Sequence, residues 1–430
     1  MFQNLFKYTA FALFLSISCQ AQTPKAVKDV SKDEIKTNGI TKEVLTGAQQ
    51  SNVYLPILKA KRVGVVTNQT GITDGTKMIG KKNCGNEPNS GTCAIFEQIS
   101  IVDHLIANGV EVKKIFSPEH GFRGDADAGE TVKSGKDTKT GLPIVSLYGK
   151  NKKPTKEQYA DLDIIVFDIQ DVGARFYTYI STLHYVMETA AETKKKVIVL
   201  DRPNPNAHYV DGPVLSMKYK TFVGMHPVPI VYGMTIGEYA QMINGEGWLA
   251  GKLKADLEII PLKNYTHDTP YSLPVKPSPN LPNDKSINLY PSTCFFEAFN
   301  GSEGRGTDKP FMVYGSPFLK NMPYQFTPQP NAGAKDPRFK GQVCYGEDLS
   351  NHPDVHEIKL EWLIRAYQNY EGKEPFWIKN SGELWIDKLA GTDQLRKQIE
   401  AGLSEEEIKK SWQADLDKFK EVRAKYLIYP

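Results

Sequence analysis

Glu119, His120 and Arg123 lie close together in the stretch Ser117-Pro118-Glu119-His120-Gly121-Phe122-Arg123-Gly124. They follow an apolar run, residues 112–116, that predicts a buried strand. Pro118 cannot donate a ladder hydrogen bond, so the strand is expected to end there, and the two glycines then allow a tight turn. A carboxylate, an imidazole and a guanidinium on one turn suit proton transfer and anion binding. An ordinary strand exit that faces solvent has the same appearance.

Three other predicted strands also end in polar or ionisable residues, which are Asn68-Gln69, Asp168-Gln170-Asp171-Arg175 and Asp201-Arg202-Asn204. In a parallel sheet the carboxyl ends of the strands lie at one edge, where ligands bind. Several carboxylates and arginines at one edge therefore indicate an active site. Paired carboxyl groups suit the cleavage of a glycosidic bond, because one donates a proton while the other stays charged.

The elements that must position these residues alternate between strands and helices. Apolar runs predict strands over 62–66, 112–116, 162–169, 196–200 and 257–261. Helical spacing predicts helices over about 95–108, 179–193 and 235–245, the last with Thr235 and Glu238 as a capping box. This alternation predicts an α/β fold with a Rossmann-like parallel sheet, covered by helices on both faces. Further helices are expected near 361–369, 392–401 and 404–425, in a smaller α+β C-terminal domain.

Length and composition place the chain among multidomain globular proteins. It has 430 residues, 40% hydrophobic and 24% charged, with a net charge of +3 and no basic stripe, so a nucleic-acid partner is not expected. The predicted organisation is a signal peptide (1–21), a polar tether (22–50), a Rossmann-like catalytic domain (51–265), a Pro-rich linker (266–292) and a C-terminal auxiliary domain (293–430).

The first residues predict export. Lys7 precedes a short apolar run and the small residues Ser18-Cys19-Gln20-Ala21, the pattern of a secretory signal. Lipid attachment at Cys19 and cleavage after Ala21 are the two competing predictions, and Ser16 is a poor match to a lipoprotein signal. Either outcome predicts a periplasmic or cell-envelope location. In that compartment Cys84 and Cys93 could close the polar loop between them.

Several other chemistries lack their motifs. The Gly-x-Gly-x-x-Gly pattern is absent after the first strand, and there is no phosphate-binding loop, no Gly-x-Ser-x-Gly elbow and no paired-histidine zinc motif. No cofactor and no metal are therefore predicted. Ser117 is the candidate for a serine-esterase alternative, but it lacks the elbow glycines.

A set of motifs resembles the exo-β-N-acetylmuramidases of the NamZ type, formerly a domain of unknown function. They span roughly residues 60–430 and include Pro118–Gly124, Asp168–Tyr179, Leu200–Pro205, Asp211–Leu215, Val231–Glu238, Pro277–Pro282, Tyr290–Cys294 and Gly304–Phe311. The resemblance implies a Rossmann-like domain and a smaller C-terminal domain with the active site in the cleft between them. It implies release of terminal β-1,4-linked N-acetylmuramic acid from the non-reducing end of peptidoglycan-derived muropeptides or disaccharides. It also implies Glu119 as the leading catalytic residue.

The residues suggest roles that fit this substrate. Glu119 is the expected general acid, with His120 tuning its proton, and Asp168 or Asp171 is the expected second carboxylate. The sugar's own acetamido group is an alternative nucleophile, so retention and inversion both stay open. The sugar's lactyl carboxylate needs a cation, and the arginine candidates are Arg123, Arg175, Arg202 and Arg305. Arg175 and Arg305 are expected to face each other across the cleft.

Other residues are predicted to contact the substrate, namely Asn68, Gln170, Tyr177, Asp201, Asn204 and Asn280. The competing function is a non-catalytic muropeptide-binding envelope lipoprotein that uses the same cleft.

Overall fold

The computed structural model describes residues 43–83, 92–119, 121–123 and 134–430. The predicted leader with Cys19, the loop cysteine Cys84 and His120 lie outside the described residues. Within those ranges, no helix combines the length and the apolar character needed to cross a membrane.

The N-terminal half alternates strands and helices. In chain order these are α1 (Ser51–Leu58), β1 (Arg62–Thr67), β2 (Ile72–Asn83), β3 (Thr92–Ser100), α2 (Ile101–Ala107), β4 (Glu111–Ser117), β5 (Gly135–Lys136), β6 (Pro143–Ser146), α3 (Lys156–Tyr159), β7 (Ile164–Asp168), α4 (Tyr179–Thr193), β8 (Lys196–Leu200), α5 (Ile236–Gly245) and β9 (Asp256–Ile260). Short 3₁₀ helices cover Met217–Tyr219 and Ala250–Lys252.

The C-terminal half is shorter and mixed. It contains α6 (Asp284–Thr293), β10 (Val313–Ser316), β11 (Tyr324–Phe326), β12 (Cys344–Asp348), α7 (Glu361–Gln368), β13 (Lys379–Asn380), β14 (Glu383–Leu384), α8 (Trp385–Ala390), α9 (Gln394–Glu400) and α10 (Glu405–Arg423), with a 3₁₀ helix at Cys294–Ala298. Its strands form an antiparallel sheet, β10-β12-β11, and a two-stranded pair, β13-β14. The predicted smaller α+β domain is confirmed.

Seven strands of the described chain form the main sheet in the order β5-β6-β4-β1-β7-β8-β9. Every pair in it is parallel except β5 with β6. The strand order reverses direction beside β1, so the carboxyl ends there border a crevice of the kind that binds ligands in open α/β sheets. The predicted parallel sheet is confirmed.

Alternate side chains of the central strands explain why helices cover both faces. Val65 and Val166 pack in one buried cluster with residues of α1 and α2. Phe167 and Val199 point the other way and pack with residues of α4 and α5. Strands that are apolar on both faces in this way must be covered twice to stay out of water.

The helix predicted over 95–108 is wrong in its first half. Residues up to Ser100 belong to β3, which pairs with β2 as a two-stranded ribbon. The side chain of Ser100 then accepts a hydrogen bond from the Val102 amide at 3.3 Å and caps α2. The β-branched and aromatic residues before Ser100, such as Ile95 and Phe96, favour the extended form despite their helical spacing.

Two predicted boundary segments are part of the folded core. In the tether, Leu45 pairs with Lys263, and Thr46 and Ala48 are buried. In the linker, α6 begins at Asp284 with a capping box around Asn283. One continuous apolar cluster contains residues of both halves of the chain, so the two halves share a core.

Candidate active site

Glu119 and Tyr148 lie side by side because they follow adjacent strands in register. Ser117 at the end of β4 pairs with Ser146 at the end of β6, and each functional side chain comes two residues later. The Tyr148 hydroxyl donates to Oε1 of Glu119 at 2.9 Å. Gly121, with φ of +76°, turns the chain directly after this point.

The second oxygen of Glu119 faces the start of α4. The Thr178 hydroxyl donates to Oε2 at 3.3 Å. Thr178 is the N-cap residue of α4, but its side chain does not cap the helix. Its hydroxyl is therefore available to the carboxylate, which lies near the positive end of the helix.

Glu119 faces a cavity of about 1030 Å³, here called the Glu119 cavity. Both halves of the chain line it, and its wall includes Glu119, Tyr148, Tyr177, Glu297, Arg305 and Trp385. Its volume suits a sugar-sized ligand. In the described part of the chain, no group of three His, Cys, Asp or Glu side chains is placed to hold a metal ion.

A cluster of four charged residues occupies the C-terminal wall. Arg305 donates to Glu297 at 2.7 Å, and its Nε lies 2.8 Å from Oε1 of Glu303. Arg338 donates to Oε2 of Glu303 at 2.7 Å and to the backbone carbonyl of Phe299. Two carboxylates and two guanidinium groups thus neutralise each other within the cavity wall.

The two carboxyl groups of this cluster differ in proton affinity. Burial and the neighbouring charge of Glu303 raise the pKa of Glu297, and the guanidinium of Arg305, with a smaller contribution from Arg338, only partly opposes that shift. Burial acts in the same direction on Glu303, but Arg338 and Arg305 together outweigh it and lower its pKa. Neighbouring carboxyl groups with diverging pKa values are typical of acid–base sites.

Tyr148 links the two sides of the cavity electrostatically. Burial raises its pKa, and the charges of Glu119 and Glu297 add to the shift while Arg305 opposes it. The N-terminal carboxylate and the C-terminal cluster therefore act on the same hydroxyl.

Of the predicted site residues, Glu119, Tyr177 and Arg305 line the cavity. The Tyr177 hydroxyl donates to the carbonyl of Pro277 at 2.8 Å. Asn280 lies just behind the wall and donates to the carbonyl of Gly333, a wall residue, at 2.6 Å. His120 lies outside the described residues.

Asp168 and Arg202 form an ion pair beneath the sheet edge. Arg202 Nε lies 2.6 Å from Oδ1 of Asp168, and their side chains are 3% and 0% exposed. A second guanidinium nitrogen donates to Oδ2 at 2.9 Å. Neither side chain belongs to the cavity wall, so the structure places this pair in the protein interior.

The remaining predicted carboxylates are also enclosed. Asp171 accepts from the hydroxyl of Tyr232 and the amide of Gly173, and burial raises its pKa to about 6. Asp201 accepts from Thr235 Oγ1 at 2.8 Å and from Tyr429 Oη at 2.6 Å. These contacts brace the loops at the sheet edge.

The predicted polar residues Asn68, Gln170 and Asn204 serve the same bracing role. Asn68 donates to Tyr179 Oη at 2.7 Å. Gln170 donates to the carbonyl of Pro203 at 2.6 Å, and Asn204 to that of Met234 at 2.9 Å. All three are buried and lie outside the cavity wall.

Arg175 and Arg305 do not face each other across the cavity. Arg175 is 0% exposed and donates to the carbonyls of Pro213, Val228 and Leu389 at 2.7–2.9 Å. Burial lowers its pKa to about 9. Both terminal nitrogens of Arg175 donate to backbone carbonyls, its Nε has no partner among the described residues, and the side chain lies outside the cavity wall. The structure therefore gives Arg175 a packing role in place of the predicted substrate contact.

Arg123 is directed elsewhere as well. It forms a bidentate pair with Asp137, in which Nε donates to Oδ1 at 3.2 Å and Nη2 to Oδ2 at 2.9 Å, and it lies over the ring of Phe122. The turn that begins with Glu119 therefore contributes its carboxylate to the cavity but sends this guanidinium to another carboxylate.

Five residues of the site were not predicted from the sequence, namely Tyr148, Thr178, Glu297, Glu303 and Arg338. Tyr148 follows a four-residue strand that was not predicted. Glu297 stands directly after the apolar residues Phe295 and Phe296. A carboxylate at the end of a buried aromatic run is the one signal that could have indicated it.

Comparisons with known proteins agree with this architecture. Residues 63–285 match the family described as exo-beta-N-acetylmuramidase NamZ, N-terminal, and residues 288–429 match its C-terminal counterpart. The peptidoglycan beta-N-acetylmuramidase NamZ of Bacillus subtilis (strain 168) is 36% identical over 440 residues, which covers 98% of each chain.

Two crystal structures of DUF1343 family proteins from Bacteroides fragilis NCTC 9343 share the fold. One has a TM-score of 0.77 at 45% identity and covers 90% of this chain and 99% of its own. The other has a TM-score of 0.71 at 28% identity and covers 90% and 100%. The resemblance seen in the sequence is confirmed, and the chain belongs to the exo-beta-N-acetylmuramidase NamZ family.

Proposed function

We propose that this chain releases terminal β-1,4-linked N-acetylmuramic acid from the non-reducing end of peptidoglycan fragments, with Glu119 as the general acid. The chain is a glycoside hydrolase by its family membership. The observation that carries the residue assignment is the position of Glu119. Its carboxylate stands at the carboxyl edge of a parallel sheet, in a cavity large enough for a sugar.

The contacts of Glu119 fit a group that must hold one orientation through a reaction. Tyr148 and Thr178 each donate to one of its oxygens. Such positioning restricts the rotation of the carboxyl group and keeps it aimed at the leaving oxygen. A protonated Glu119 would deliver its proton there as the glycosidic bond breaks.

Glu297 is the second carboxylate of this proposal. Asp168 and Asp171 were expected in that role, but both are buried outside the cavity wall. Glu297 lines the cavity and pairs with Arg305. It would act as nucleophile or base, or would orient the sugar's acetamido group, and these routes differ in whether the anomeric configuration is retained.

Turnover of a chromogenic β-N-acetylmuramide tests the proposal. The wild-type chain should release the chromophore. In Glu119→Gln the turnover rate should fall by at least about a hundredfold while the thermal unfolding temperature is unchanged. Glu246→Gln, an exposed carboxylate that accepts from Tyr426, is the matched control. Normal turnover by Glu119→Gln would refute the general acid. Binding of muropeptides without any turnover would support the competing function, a binding lipoprotein.

Export and the anchor are part of the same proposal. The leader with Lys7 and the small residues around Cys19 favours the periplasm or cell envelope. Incorporation of labelled fatty acid into the wild-type chain, but not into Cys19→Ala, would establish the lipid anchor. Cleavage after Ala21 without label would establish a soluble exported form.

A further inference from the structure

N-acetylmuramic acid differs from N-acetylglucosamine by the lactyl ether at its third carbon, which carries a carboxylate. A hydrolase selective for the muramic sugar needs a cation where that carboxylate lies. If the chain has the proposed function, on which this inference rests, a cation of the Glu119 cavity must have hydrogen-bond donors that are not used by protein partners.

The cavity's arginines are already committed to protein partners. Arg305 serves Glu297 and Glu303, and its guanidinium carbon lies 5.0 Å from the centre of the Phe311 ring. Arg338 serves Glu303 and the carbonyls of Phe299 and Phe296. If either arginine bound a ligand instead, a charge-assisted contact in a half-buried site would break. The free energy lost by leaving a protein carboxylate without its partner would exceed the free energy gained from the ligand.

Among the described residues, three lysines also line the cavity, and one of them is less exposed than the other two. Lys335 and Lys379 are exposed, whereas Lys152 is half-buried. The ammonium group of Lys152 lies 4.5 Å from the centre of the Phe222 ring, which is another wall residue. Within the described part of the chain, Lys152 forms no ion pair. The ring fixes the lysine without satisfying its three hydrogen-bond donors.

Lys152 lines the cavity, whereas the lysine next to it in the sequence does not. That neighbour, Lys153, is bound to Glu188 at 2.6 Å and Glu192 at 2.7 Å. Tyr148, which holds Glu119, lies four residues before Lys152 on the same loop after β6. The loop thus presents to one cavity the hydroxyl that donates to Glu119 and a lysine that has no carboxylate partner among the described residues.

We propose that Lys152 binds the lactyl carboxylate of the terminal muramic sugar and sets the preference of the enzyme for that sugar. The ammonium group would donate to the carboxylate at the half-buried wall, where a charge-assisted hydrogen bond is stronger than in open solvent. Phe222 would hold the ammonium group in place between turnovers.

The experiment compares two ligands that differ only in charge, the chromogenic β-N-acetylmuramide and its lactyl amide. The wild-type enzyme should favour the acid, and Lys152→Met should lower kcat/KM for the acid about 10- to 100-fold while changing that for the amide little. Lys152→Arg should recover much of the preference. Lys150→Met, an exposed lysine on the same loop, is the control that should leave both values unchanged.

Calorimetric binding of free N-acetylmuramic acid and its lactyl amide separates this proposal from the proposed function. If the wild-type chain turns over neither glycoside, the function fails, but the loss of acid-over-amide binding in Lys152→Met still supports the lysine's role. An unchanged preference in Lys152→Met, or equal treatment of acid and amide by the wild-type chain, overturns it.

Discussion

The hydroxyl of Tyr148 lies 2.9 Å from Oε1 of Glu119, and the two residues follow adjacent parallel strands in register. A phenol in this position stabilises one orientation of the carboxyl group. It belongs to the positioning of Glu119 whether or not it touches the sugar.

Replacing Tyr148 by Phe should lower kcat about 10- to 100-fold with little change in KM, because the variant loses one charge-assisted hydrogen bond to Glu119. Steady-state kinetics across pH 4–8 would measure the loss and any displacement of the acid limb. Tyr367→Phe is the control, because this half-buried tyrosine stacks on Trp377 and does not line the cavity. A Tyr148→Phe variant with normal kcat and an unmoved pH profile would remove Tyr148 from the site.

Replacing Glu297 by Gln should lower kcat by about 10²- to 10⁴-fold, because Glu297 is the proposed second carboxylate. In Glu297→Ala, where the truncated side chain leaves room for an anion, added azide should restore part of the turnover. Glu303→Gln is the matched control in the same cluster. It should mainly reduce thermal stability, because Glu303 holds both Arg305 and Arg338. A near-normal kcat in Glu297→Gln would contradict the role of Glu297 and favour the sugar's acetamido group as the nucleophile at the anomeric carbon.

Replacing Asp168 by Asn should destabilise the fold by about 3–5 kcal/mol, because it leaves the buried guanidinium of Arg202 without its counter-charge. Urea unfolding would measure this loss. The double variant Asp168→Leu/Arg202→Met should recover part of it, since it removes both charges. Asp163→Asn is the control, because its pair with Arg62 is half-exposed at the surface and much less stability should depend on it than on a buried pair. An Asp168→Asn variant that is as stable as the wild-type chain but has no activity would contradict this prediction and indicate a catalytic role for Asp168.

Acid should weaken the contact between two buried histidines. His226 Nε2 lies 2.9 Å from His184 Nδ1, and burial lowers the pKa of His184 to about 4. The unfolded chain therefore binds a proton at His184 more tightly than the folded chain does. The stability from this residue is intact above about pH 6.5 and falls, by up to about 3 kcal/mol, as pH drops toward 4.

The effect of His184 must be measured as the difference in unfolding free energy between the wild-type chain and a His184 variant. Other buried groups change the stability in the opposite direction as the pH falls. Burial raises the pKa values of Asp171 and Asp201 to about 6, so their protonation favours the folded chain below that pH. Urea unfolding of the wild-type chain and of His184→Gln at pH 7.5, 6 and 5 would isolate the histidine. The gap between the two stabilities should narrow as pH falls. A gap that stays constant would contradict the prediction.

The periodicity of apolar residues was enough to predict the helices and strands whose conformation depends mainly on residues nearby in the sequence. The helix Tyr179–Thr193 and the strand Lys196–Leu200 lie where the sequence placed them, and Thr235 and Glu238 form their capping box. Each depends on neighbours in the sequence. The helix predicted for the segment before Ser100 was wrong, because this segment pairs with β2 as a strand in spite of its helical spacing.

The site was harder to predict, because what a side chain meets depends on distant segments. Arg175 looked like a substrate contact at a strand end, yet one of its carbonyl partners, Leu389, is 214 residues away. Glu119 was indicated by its own turn, whereas Glu297 joins it only through tertiary packing. Sequence reasoning therefore identified the proposed acid and missed the group opposite it.

The cavity wall has consequences for how this family diversifies. The proposed acid Glu119, its partner Tyr148 and the proposed sugar-selecting Lys152 come from the loops after β4 and β6, while the opposing charged cluster with Glu297 comes from the C-terminal half. Substitutions in one half can therefore reshape the opposing wall of the cleft without disturbing the acid. Chimeras that exchange the C-terminal halves of two relatives would reveal which substrate preferences are inherited with each half.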